Sequence, residues 1–191
     1  MVPESSRQGA RAVALLSLSL ALLAMLSTPV AAQSWVGSDL PPAVSVPLQF
    51  GVSFVVNLVA AGLVLAVAPE YARTLARDIR ANVVESIAAG ILAEILVVVA
   101  TVLLALTIVG LVVVIPGLLV LAVLQFGATG IALLAVGSAL GGRSSPDGAA
   151  VLLGALVVAG LGLIPLVGPL LNSLVGVVGF GAMASDYWGS R

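Results

Sequence analysis

The sequence contains no cysteine, no histidine and no lysine. The first absence excludes disulfides and thiol chemistry, and the first two together remove the commonest ligands of zinc and haem. All seven basic residues are therefore arginine. Charge of either sign is scarce. Charged residues make up 8% of the 191 positions, where a soluble domain carries roughly 25%. So little charge cannot cover a globular surface with polar groups. The net charge of −1 gives no basic footprint for nucleic acid and no acidic bias toward cationic partners.

What remains is apolar. Hydrophobic residues account for 61% of the chain, and its mean hydropathy is +1.29. A lipid bilayer is the solvent that tolerates such a composition. The sequence therefore predicts an all-α integral membrane protein of a plasma membrane. It would have an N-terminal signal peptide, one span, an interfacial amphipathic helix and two Pro/Gly-turned helical hairpins, about five spans in the mature chain.

The N-terminal segment 1–32 has the three parts of a secretory signal. Arg7 and Arg11 form the basic region, Ala12 to Leu26 the apolar one, and Pro29 to Ala32 the small residues before a cut. An uncleaved signal anchor is the alternative. Residues 33–47 read as an extracytoplasmic linker, with Trp35 placed as an interfacial aromatic. A membrane domain then covers 48–188, beginning with an uncharged span at about 48–68.

Segment 69–85 differs in kind. Arg73, Arg77 and Arg80 share one helical face, with Leu75, Ile79, Val83 and Ile87 opposite. The pattern predicts a helix lying in the interface. Its arginines would meet lipid headgroups, or simply fix topology, and its leucine and isoleucine would enter the acyl boundary.

From Ser86 to Gly142 the only charged residue is Glu94. The run is long enough for two spans, expected at about 86–114 and 117–140, and two spans need a turn. The stretch "TIVGLVVVIPGLLV" carries Ile115-Pro116-Gly117 near the middle of the run. Proline has no N–H and clashes with the preceding helical turn, so it is the expected site of reversal. "GGRSSPDG" at Gly141 to Gly148 is a polar loop. A second hairpin follows, with arms at about 149–164 and 170–186 around Ile164-Pro165 and Gly168-Pro169. Its first arm is short, so the hairpin either spans or is re-entrant. Val102-Leu103-Leu104, Ile115-Pro116 and Phe126-Gly127-Ala128 recur as Val151-Leu152-Leu153, Ile164-Pro165 and Phe180-Gly181-Ala182. These matches suggest a parallel internal repeat.

With the mature N-terminus outside, Arg73, Arg77, Arg80, Arg143 and Arg191 all fall on the cytoplasmic side, as does the C-terminus, with Tyr187 and Trp188 at the inner interface. That matches the positive-inside rule. Lipid removes the hydrophobic drive between helices, so small residues must supply close packing. Ala128, Ala132, Ala135 and Ala139, the Gly137/Gly141 pair, and Gly176, Gly179 and Gly181 are placed for it. They serve contacts within the chain, or self-association. Counted from the nearest span boundary, Asn57, Glu94 and Gln125 reach roughly 12–15 Å depth, where they could form one intramembrane polar layer.

"PEYARTLARDIRANVVESI", the two uncharged hairpins and the "IPG" and "IPLVGP" turns resemble a small polytopic membrane domain of unknown function. That domain occurs in archaeal and bacterial proteins, often appended to bactofilin-like polymer-forming β-helical segments. The resemblance covers about Leu48 to Trp188 and implies membrane localisation. Residues 33–47 leave no room for the β-helical part, and no functional residue carries over. The expected partners are the lipid bilayer and either a second copy or another membrane protein. No cofactor, metal or nucleic acid is expected, and no catalytic residues. The leading functional expectation is a membrane anchor or scaffold. The alternative is a small transporter or channel built on the Glu94 layer.

Overall fold

The computed structural model describes residues 40–164 and 167–189. The expected signal, Trp35, Pro165 and Arg191 lie outside them. Six helices follow in chain order: α1 (Pro42–Val67), α2 (Pro69–Ala81), α3 (Val83–Ala105), α4 (Ile108–Leu140), α5 (Gly148–Gly162) and α6 (Val167–Gly189). No strand occurs among the described residues. α1, α3, α6 and most of α4 are long and apolar enough to cross a membrane. α5, also apolar, has 15 residues, about 22 Å of helix.

The helix boundaries follow local chemistry. α1 begins six residues earlier than expected, because Pro42 occupies its first turn, where a missing N–H costs nothing. Pro47 then sits inside the helix. Pro69 opens α2 in the same manner. α2 stops at Ala81, short of the expected Glu85, because Asn82 leaves helical geometry at φ −135°.

The first hairpin does not turn where the proline stands. Pro116 lies inside α4, and the break is at Leu106 and Thr107. Thr107 caps α4: its Oγ1 accepts from the Gly110 amide at 2.8 Å and donates to the Leu104 carbonyl at 2.9 Å. One side chain thus closes α3 and opens α4. Gly110 is part of the device, since a Cβ there would overlap the Leu104 carbonyl oxygen. Pro116 is exposed on the helix surface, so its ring needs no space in the core. The spans expected at 86–114 and 117–140 are thus the helices Val83–Ala105 and Ile108–Leu140. The second connection joins α5, which ends at Gly162, to α6, which begins at Val167, where the arms were expected at 149–164 and 170–186; Pro169 falls inside α6. Ile115-Pro116 and Ile164 therefore play different structural roles, one inside a helix and the other in a connection.

α4 is the central helix and touches all the others. Its second half forms the core: Ala128, Ile131, Leu133 and Leu134 are at most 1% exposed. The first half is bare, with Val112, Ile115, Leu119 and Val123 each at least 65% exposed. Glycines set the close approaches. A Cβ at Gly137 would meet the Ala150 carbonyl of α5, at Gly179 the Ala128 carbonyl of α4, at Gly181 the Ser86 carbonyl of α3, and at Gly130 the Ala60 carbonyl of α1. This is the small-residue packing that lipid requires. Gly137 is used inside the chain, against α5, and Ala139 is exposed.

α2 departs from the expected interfacial helix in what it buries. Leu75 and Ile79 are 1% and 4% exposed and belong to the protein core, together with residues of α4, α5 and α6. The apolar stripe therefore packs on the bundle, where it would otherwise enter acyl chains. Val83 is exposed and belongs to α3.

Candidate functional site

Two places concentrate polar side chains. The first is within the bundle. Glu94 on α3 is half-buried, and Gln125 on α4 is buried. Gln125 Nε2 donates to Glu94 Oε1 at 3.4 Å, at the long limit for a hydrogen bond. The Gln125 Oε1 is buried without a partner. Asn57, on α1, is 1% exposed, and its Nδ2 also lacks a partner. The predicted layer thus resolves into a Glu94–Gln125 pair and a separately buried Asn57 amide. At 1.5 Å per residue from the nearer helix end, Asn57 and Glu94 lie roughly 15 Å deep and Gln125 about 22 Å. Thr129 donates to the Gln125 carbonyl at 2.9 Å, and Ser138 to the Ala135 carbonyl at 3.0 Å. Those hydroxyls are satisfied within their own helix.

The second place is the end of the bundle where α1, α4 and α6 finish and α3 and α5 begin. The loop between α4 and α5 is fixed at both ends. α4 closes with Gly142 at φ 59°. The Gly142 amide bonds the Ala139 carbonyl, and the Arg143 amide bonds the Ser138 carbonyl. This is the helix-ending motif that a left-handed glycine permits. α5 opens on Asp147, whose Oδ1 accepts from the Ala150 amide at 2.9 Å. The other carboxylate oxygen takes Arg143 Nη1 at 2.8 Å. These bonds hold the Asp147 carboxyl below the ordinary range: the Ala150 amide contributes most, and the Arg143 charge adds to it.

α2 lies beside this loop. Arg80 Nη1 donates to the Arg143 carbonyl at 2.6 Å and ties the two together. Arg73 pairs with Glu70 at 2.9 Å. Among the described residues Arg77 donates to the Arg73 carbonyl and the Thr74 hydroxyl. Glu70, Arg73, Arg77 and Arg143 line a groove of about 610 Å³ with loop residues including Ser144, Ser145 and Asp147. The three arginines of the sequence pattern do share one face, but Arg80 is engaged by the loop, and Arg143 joins the other two. Tyr71, on the same helix, has its phenol pushed up by partial burial and by the Asp186 charge near the end of α6.

Residues 4–191 match the profile of a domain of unknown function, DUF8173. The chain belongs to the DUF8173 family. No curated protein and no solved structure matches it. The DUF8173 match extends over all six helices and into the segment that precedes them. An uncharacterised helical domain was expected from the "PEYARTLARDIRANVVESI" pattern, and that much holds. The residues that build the arginine end of this DUF8173 chain carry local sequence signals. Asp147 before an apolar run is an N-cap signal, and Gly142 after one is a C-terminal signal. Thr107 carries the same kind of signal within the first hairpin, ahead of the proline.

Proposed function

We propose that this DUF8173 chain is a multi-pass scaffold or anchor of the plasma membrane, with its arginine end in the cytoplasm. Cleavage or retention of a signal segment leaves the mature N-terminal side outside. The short α5 crosses with α6 as the second hairpin, giving five crossings. The chain acts through association with other membrane components and not as an enzyme. The resemblance to membrane domains that accompany polymer-forming segments supports an anchoring role.

One observation carries the preference for a scaffold over a conduit. The helices meet at Gly130, Gly137, Gly179 and Gly181 so closely that a methyl group would strike a facing carbonyl. Backbone contacts this close are those of a tightly packed bundle. A second reading is favoured by one specific feature. Glu94 is the only charged residue between Ser86 and Gly142, and unsatisfied amide atoms of Gln125 and Asn57 are buried in the same bundle. Intramembrane carboxylates of this kind mark ion or proton pathways in many membrane proteins.

Purified protein in liposomes tests the two readings together. A scaffold gives proton and ion flux equal to that of empty liposomes, unchanged by Glu94→Gln. It also gives a discrete protein adduct when a photo-crosslinking residue replaces Leu119 in cells. Flux above background that Glu94→Gln abolishes establishes the transport reading instead.

A further inference from the structure

We infer that the groove between α2 and the α4–α5 loop binds a phosphate-bearing anion, either the headgroup of an acidic phospholipid or a soluble phosphate compound at the membrane surface. This rests on the reading that the arginine end lies at a membrane interface.

The groove has the size and charge for that ligand. Its volume of about 610 Å³ is in the range of small-molecule sites. Three guanidinium groups face two carboxylates there, those of Glu70 and Asp147, so the lining is net cationic. Both acids are already engaged, Glu70 by Arg73 and Asp147 by Arg143 and the α5 amide, and both are well exposed. Arg77 is different: among the described residues it donates to one backbone carbonyl and one hydroxyl and pairs with no acid. Its charge is left for a ligand. Arg143 lines the groove beside it. Guanidinium groups match phosphate oxygens in planar, paired geometry. The Ser144 and Ser145 hydroxyls supply neutral donors on the loop side.

The walls of the groove are held in place before any ligand arrives. α2 is fixed from below by buried Ala72, Leu75, Ala76 and Ile79. The loop is fixed by the Gly142 closure, the Asp147 cap and the Arg80 bond to the Arg143 carbonyl. A site assembled in advance pays less ordering entropy on binding. The groove also sits at the right level. Tyr71, Tyr187 and Trp188 are exposed at the same end of the bundle, as expected of aromatics at the membrane–water boundary.

The test uses the full chain in neutral detergent micelles, with bound lipid counted by native mass spectrometry. The probes are phosphatidylglycerol, phosphatidylcholine and inorganic phosphate. The expected result is retention of one phosphatidylglycerol in preference to phosphatidylcholine. Arg77→Ala should weaken that preference about tenfold, the effect of one charge-assisted hydrogen bond. Ser145→Asp, which adds an acid to the groove without touching α2, should weaken it as well and guards against a folding defect in the first variant. Arg77→Lys should retain part of it. Displacement of the lipid by millimolar inorganic phosphate, with phosphate alone raising the melting temperature of wild type but not of Arg77→Ala, assigns the site to a soluble phosphate compound. Lack of displacement assigns it to the lipid headgroup. Equal retention of the two lipids with no effect of phosphate overturns the inference. Because the assay is carried out in micelles, it reports on the groove independently of the orientation of the chain in a cell.

Discussion

Glu94 is the residue on which the chemistry of the bundle interior turns. An ionised carboxylate at the centre of a helix costs about 2.5–3.5 kcal/mol on insertion scales, and a single long bond from Gln125 offsets only part of it. Glu94→Gln retains both donor and acceptor for Gln125, so its stability in detergent should remain within about 1 kcal/mol of wild type. Glu94→Lys has no other acid between Ser86 and Gly142 to pair with and should be far less stable; a wild-type-like melting curve would show that position 94 faces water. The glycine contacts make a sharper residue-scale case. Gly179→Val places its Cβ against the Ala128 carbonyl and should cost about 1–3 kcal/mol through overpacking. Gly62→Val, where nothing lies within 4 Å, should be tolerated, and comparable losses at both sites would refute the packing explanation. Asp147 supplies a pH effect. Its folded-state carboxyl is held below the unfolded value, so its contribution is complete above roughly pH 4 and is lost as the pH falls through the folded value. Melting temperature should therefore fall on acidification below that point. Asp147→Asn, which keeps the cap without the charge, should flatten that part of the profile.

At the scale of the element, the first hairpin separates what was legible from what was not. The existence of two helices between Ser86 and Gly142 followed from the length of the uncharged run, since one crossing needs about 20 residues. The position of the turn did not follow from the proline. Pro116 removes one backbone donor and crowds the preceding turn of its own helix, but its exposed ring displaces no core side chain, and apolar helices tolerate such residues. Thr107 wins because it satisfies groups on both sides of the break. Thr107→Ala should cost about 1 kcal/mol, the usual effect of removing a cap. Pro116→Ala should be at least as stable as wild type, because proline in a helix interior is worse than alanine by about 3 kcal/mol. Thermal unfolding of the two variants in one detergent distinguishes these assignments, and a destabilised Pro116→Ala would restore the proline to the turn. α2 carried a similar ambiguity. Arg73, Arg77 and Arg80 marked its polar face correctly, but periodicity alone does not say whether Leu75 and Ile79 enter lipid or protein. That choice depends on α4, α5 and α6, which are distant in sequence. The groove was hidden for the same reason, because Arg143 lies more than sixty residues from α2 and nothing local connects them.

For the whole molecule, charge and hydropathy determine more than any motif does. Four described arginines, Arg73, Arg77, Arg80 and Arg143, meet at one end of the bundle through the Arg80 bond and the shared groove. The opposite end carries the start of α1 and the two hairpin turns, with no Asp, Glu, Lys or Arg in any of them. Such a one-ended charge distribution is what the positive-inside rule produces in a chain that crosses a bilayer. The absence of cysteine allows the most direct test. Ser145→Cys places a thiol in the α4–α5 loop, and Leu40→Cys places one just before α1, both at exposed positions. Each is challenged in intact cells with a maleimide that does not cross membranes, and then again after permeabilisation. The expected result is labelling of position 40 in intact cells and of position 145 only after permeabilisation. Labelling of position 145 in intact cells would contradict the proposed membrane arrangement.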